Sequence, residues 1–127
     1  METDDVNRTI DDLQKTLRGY YPDRWVLLKF NNNGNVFYKI LASWYNGFAQ
    51  GDSWRLNSGV DRVEKHGNTY LFYGSSGSIY QCNENTYGMS AYTSGILYNL
   101  QEKVKHADGV SLELMPESTN FMELSYT

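Results

Sequence analysis

A single cysteine, Cys82, stands in the sequence, so no disulfide can form within the chain. With no disulfide framework, the expected setting is reducing and cytoplasmic. Histidine is nearly as scarce. His66, His106 and Cys82 lie too far apart in sequence to make any zinc-binding spacing. No apolar stretch approaches the roughly 20 residues that span a bilayer. No charged segment followed by an apolar run opens the sequence, so neither a membrane contact nor a secretory leader is expected. Basic residues are in the minority, with 11 Lys and Arg against 15 Asp and Glu and a net charge of −4. Binding to nucleic acid rests on neutralising phosphates, and the sequence holds no basic stripe to do it.

Aromatic residues are what the chain has in quantity. Among 127 residues are 11 Tyr, three Trp and five Phe, with 40% hydrophobic and 20% charged residues overall. That composition belongs to folded domains, and a chain of this length buries roughly two thirds of its extended surface. Aromatic side chains favour strands and cross-strand packing. They also favour interfaces.

Periodicity then orders the elements. Val6, Ile10, Leu13 and Leu17 recur at helical spacing and predict an N-terminal amphipathic helix. Thr3 or Asp4 caps its start, Gly19 its end, and Pro22 stops it. Arg24 to Phe30 is apolar on both faces, as a strand covered on both sides must be. Asn31 to Asn35 is turn chemistry, and Val36 to Tyr45 is the return strand. Ser53 to Asn57 is a short strand, Val60 to Lys65 and Asn68 to Tyr73 a hairpin, and Ser78 to Cys82 a further strand. A second helix follows Gly88, capped by Ser90 or Thr93, with Ile96, Leu97, Leu100 and Val104 on its apolar face. Val110, Leu112 and Leu114 alternate until Pro116. The tail, 117–127, reads as an edge strand through Met122, Leu124 and Tyr126, or as a frayed end. A run of hairpins implies one α+β domain over 1–127. Its antiparallel meander sheet has about six or seven strands, flanked by an N-terminal and a C-terminal helix.

No motif names a reaction. Cys82 needs a base to act as a nucleophile, and His66 on a neighbouring hairpin is the only candidate. A buried thiol packing like a small apolar group is the competing reading. Gly74 to Ser78 lacks the Lys-Ser/Thr ending and following helix of a phosphate loop, so it reads as a turn. Asp4-Asp5 and Asp11-Asp12 read as a solvated helix face. No catalytic residue, cofactor or metal site is assigned.

The densest set of binding-type residues is Trp44, Tyr45, Phe48, Asp52, Trp54 and Arg55, in a loop and its flanking strand ends. Aromatics beside an arginine compose interface hot spots, and loops on a rigid sheet carry function. The competing reading makes Trp44 and Trp54 core and pairs Arg55 with an acid.

The run Gly51-Asp52-Ser53-Trp54-Arg55-Leu56-Asn57-Ser58-Gly59 is similar to stretches of small uncharacterised phage and prophage proteins of bacteria. Gly74 to Cys82 and Tyr87-Gly88 extend the resemblance to about the central third of the chain. It implies an accessory role and carries over no activity or site residues. The expected function is a non-enzymatic accessory protein that binds another protein. One alternative is a small-molecule or nucleotide binder, or weak enzyme, whose concave sheet face is lined by Arg62, Tyr70, Tyr73 and Tyr80. Another is a homo-oligomer paired through strand edges.

Overall fold

The structure, a computed structural model, describes residues 19–45 and 52–126. The expected N-terminal helix lies outside the described residues, as do Phe48 and most of its loop. Gly19, read as that helix's cap, belongs with Tyr20 to a two-residue strand β1 (Gly19–Tyr20). The other strands are β2 (Arg24–Asn32), β3 (Asn35–Trp44), β4 (Ser53–Leu56), β5 (Val60–His66), β6 (Thr69–Gly74), β7 (Ile79–Asn83) and β8 (Val110–Leu114). The helix α1 (Ala91–Lys105) precedes β8.

The class is α+β, but the expected single meander divides into two four-stranded sheets. One runs β4-β3-β2-β8 and is antiparallel throughout. The other runs β1-β7-β6-β5 and is mixed, because β1 lies parallel to β7. Asn57 makes the division. Its backbone N–H donates to the Ile40 carbonyl at 3.0 Å, and its side-chain oxygen accepts from the Ile40 N–H at 2.8 Å. One buried residue thus completes the β3 edge beyond β4. Gly59, at φ +137°, then turns the chain into the second sheet. A backbone at this φ is open to glycine and costly for other residues.

β2 is covered on both faces, as its composition predicts. Trp25 and Leu27 pair with Ala42 and Ile40 and face the second sheet, where Trp25 lies 5.4 Å from Phe72 and 5.9 Å from Tyr70. Val26 and Leu28 take the opposite face with Leu41 and Leu114, beneath Leu97 of α1. The Asn33-Gly34 turn has positive φ at both residues, which a two-residue hairpin with matching twist requires. Ser90 caps α1 in a reciprocal box with Thr93, so both candidate caps are used.

The tail takes neither expected form. It turns through a 3-10 segment, Phe121–Glu123, and buries Phe121 among Trp25, Tyr70, Phe72 and Tyr87. Tyr126 donates to the Phe121 carbonyl and lays its ring against Tyr38. The Met122–Leu124–Tyr126 alternation misled because the anchoring residue, Phe121, lies off that pattern. No helix among the described residues is long and apolar enough to cross a membrane.

Candidate functional site

β2 begins, β3 ends and β4 begins at one end of the antiparallel sheet, and five of the six predicted binding residues gather there. Strand alternation divides them between faces. Trp44 and Arg55 share a face with Ala42, turned toward β1, while Trp54 pairs with Ser43 on the face that α1 covers elsewhere. Tyr45 follows the strand, and Asp52 is exposed just before β4.

Trp44 and Trp54 differ in burial. Trp44 is half-buried and donates its indole N–H to the Tyr21 carbonyl at 2.8 Å. Trp54 is 40% exposed. Arg55 is exposed, and among the described residues its guanidinium pairs with no carboxylate. It lies 4.7 Å from the Tyr20 ring centroid. Tyr20 in turn stacks on Tyr80 at 4.9 Å and tilts against Trp44 at 6.1 Å. A cation over an aromatic face is attracted by the ring quadrupole. Burial pushes the Tyr80 hydroxyl up to about 12, against a smaller opposing pull from Arg55.

Tyr20, Tyr21, Asp23 and Gln81, all outside the predicted set, complete this end. Tyr21 is 49% exposed and Tyr45 is 54% exposed. The Tyr45 N–H donates to the Asp23 carboxylate at 2.8 Å, and the Gln81 side chain donates to the Tyr21 hydroxyl at 2.8 Å. Tyr20, Tyr21 and Asp23 flank Pro22, which the sequence marks only as a helix stop. The adjacent aromatic pair was the available signal.

The remaining candidates are dispersed. Cys82 is fully buried, and burial raises its thiol well above the ordinary value. His66 is exposed at the end of β5 and lies 3.2 Å from Glu64, so the two are not brought together. Gly74 to Ser78 is the β6–β7 turn, closed by Gly74 donating to the Ser78 carbonyl at 2.8 Å.

The surface proposed for a small molecule is not assembled either. Tyr70 and Tyr80 are buried on the inner face of their sheet. Tyr73 pairs with Arg62 on the outer face, with the guanidinium 3.7 Å from its ring centroid. A cleft of about 440 Å³ lies instead between Tyr70, Tyr87 and Phe121, with Glu84, Asn85 and Glu117 at its mouth. Lys65 reaches its rim, paired with Glu84 at 2.8 Å and 5.1 Å from the Tyr70 ring centroid.

Comparisons of the chain with protein-family models, curated proteins and solved structures find no match.

Proposed function

We propose that this protein is a non-enzymatic accessory protein that binds another protein through the aromatic end of its antiparallel sheet. One observation carries the reading. Tyr21, Tyr45 and Trp54 are each at least 40% exposed at the same sheet end. Gln81 also holds the Tyr21 hydroxyl, while Trp44 and Asp23 fix the backbone of Tyr21 and Tyr45. Anchored aromatics bury large area on binding at small cost in side-chain entropy, which suits them to hot spots. Arg55, held over Tyr20, supplies a cation on the face of that end turned toward β1. The resemblance of Gly51–Gly59 to phage and prophage sequences points to a protein of a bacterial host as the partner.

The test is affinity capture from a bacterial lysate, run side by side with the wild-type chain and a Tyr45→Ala/Trp54→Ala variant. Both side chains are exposed, so the variant retains its fold, checked by circular dichroism. A partner held by the wild type and lost by the variant supports the reading. Equal capture by both chains overturns it.

A further inference from the structure

We propose that β8 is a self-pairing edge through which two copies of this chain join their antiparallel sheets into one. An open strand edge is a template for another strand, and folded proteins guard such edges with charge, bulges or short length. Three of the four sheet edges among the described residues are guarded. β1 has two residues and β4 has four. β5 carries Asp61, Arg62, Glu64, Lys65 and His66 and a register shift between Val60 and Arg62. β8, Val-Ser-Leu-Glu-Leu, has five residues, one charge and a regular register against β2.

The direction of its backbone groups is fixed by its flanks. Met115 donates to the Leu27 carbonyl, and the Gly109 carbonyl accepts from Asn33. The odd-numbered residues of β8 therefore turn their backbone groups toward β2, and Val110, Leu112 and Leu114 turn theirs outward. The Val110 N–H is already taken by the Ala107 carbonyl at 3.3 Å. The Val110 carbonyl and both groups of Leu112 and Leu114 meet no other strand among the described residues.

These groups match a second copy in one register. With a two-fold axis at Leu112, each Leu112 N–H donates to the other copy's Leu112 carbonyl. Each Leu114 N–H donates to the other copy's Val110 carbonyl. The one occupied donor, Val110, is not needed for these four bonds. In the same register Ser111 falls opposite Glu113 of the other copy, so a hydroxyl faces a carboxylate and no like charges meet. The leucines lie on the α1 face, where they extend the apolar row of Leu28 and Phe30 across the axis.

A second feature marks the same edge. Tyr98 is 62% exposed, more than any other large hydrophobic residue among those described. It borders a groove of about 510 Å³ between α1 and β8, with Val104, Val110 and Leu112 along it and Glu102 and Lys105 at its rim. Joining two β8 edges brings the two grooves together, and the two Tyr98 side chains fill them. β8 and β4 are opposite edges of one sheet, so the dimer leaves the aromatic end free, and the two proposals fail independently.

Sedimentation velocity over a wide concentration range tests the dimer, with variants at the exposed Ser111. Ser111→Glu sets two pairs of like charges across the axis and is expected to weaken association about 2- to 30-fold. Ser111→Lys sets opposite charges there and is expected to strengthen it by a similar factor. Leu112→Pro removes the outward N–H that pairs across the axis together with a half-buried side chain packed against the core. It is expected to give a monomer whose fold is checked by circular dichroism, while the Ser111 variants leave the core untouched. A wild-type chain that stays monomeric at every concentration overturns the proposal. So does a dimer indifferent to both Ser111 variants, or a monomer that takes up a foreign extended peptide on this edge.

Discussion

Tyr87 shows how much one side chain does where a ladder runs out. The last β8–β2 hydrogen bond is Met115 donating to the Leu27 carbonyl at 3.0 Å, and Pro116 cannot extend the ladder. The Tyr87 hydroxyl accepts from the Leu27 N–H at 3.2 Å and donates to the Met115 carbonyl, bridging the gap. Gly88 then donates to the Trp25 carbonyl at 2.8 Å, so the segment continues the edge. Burial pushes this hydroxyl up to about 12, so it remains protonated and able to donate. Tyr87→Phe is expected to cost about 1–3 kcal/mol, because it leaves the buried Leu27 N–H and the half-buried Met115 carbonyl unserved. Urea denaturation measures this, and an unchanged midpoint would show that water serves both groups. Nothing in the sequence around Tyr87 marks this role, because both groups it serves are remote along the chain.

At the scale of elements, β5 is an edge strand held by charge. Arg62, Glu64 and Tyr73 form one exposed network, with Glu64 accepting from Arg62 at 2.5 Å and from Tyr73 at 3.1 Å, and His66 at 3.2 Å. The Arg62 hydrogen bond is the largest cause, with His66 and Tyr73 behind it, that holds the Glu64 carboxyl near 2 against its ordinary 4.5. A carboxyl depressed in the folded state adds stability above its unfolded value. That stability is lost as pH falls from 4.5 toward about 2. The group is exposed, so solvent screens the effect and keeps it small. A carbon-detected titration is expected to place the Glu64 midpoint near 2, and Arg62→Ala to move it up. A midpoint near 4.5 in the wild type would mean the network does not form in solution. Elements with local signals were legible from sequence: β2 and β3 about their Asn-Gly turn, the β5–β6 hairpin, and α1 with its Ser90 cap. β1 was not, because two residues carry no period and its pairing partner lies 60 positions away at Ile79.

Across the whole molecule the two sheets are joined by rings. Trp25 lies within 6 Å of Tyr70, Phe72, Tyr87 and Phe121, and its indole donates to the Asn83 carbonyl at 2.7 Å. It thus touches strands of the second sheet, the segment before α1 and the tail at once. Trp25→Ala is expected to cost about 3–5 kcal/mol. Far- and near-ultraviolet circular dichroism are expected to report one coincident unfolding transition in the wild type. Loss of the aromatic signal ahead of the backbone signal would show an intermediate that keeps its strands after the ring packing between the sheets is lost.

The candidate site divides along the same line as the fold. That Trp44, Tyr45, Trp54 and Arg55 are binding-type residues close in sequence was legible, since composition and hairpin spacing bring β3 and β4 together. That Trp44 and Arg55 face one way and Trp54 the other depends on a register set by hydrogen bonds between strands. Tyr20, Tyr21 and Asp23 join them only because β1 and β2 return to this end of the sheet.

By itself, the sequence determined the local elements: the α+β class, the antiparallel hairpins, the covered strand β2 and the capped helix α1. Side-chain period, turn residues and caps act over a few positions, and the chain carries that information locally. The tertiary structure alone decided that the strands form two sheets, that β8 pairs with β2, and that Phe121 closes the core. Those choices rest on hydrogen bonds and ring contacts between distant residues, such as Asn57 with Ile40 and Trp25 with Phe121. Their energies exist only once the chain has brought the partners together.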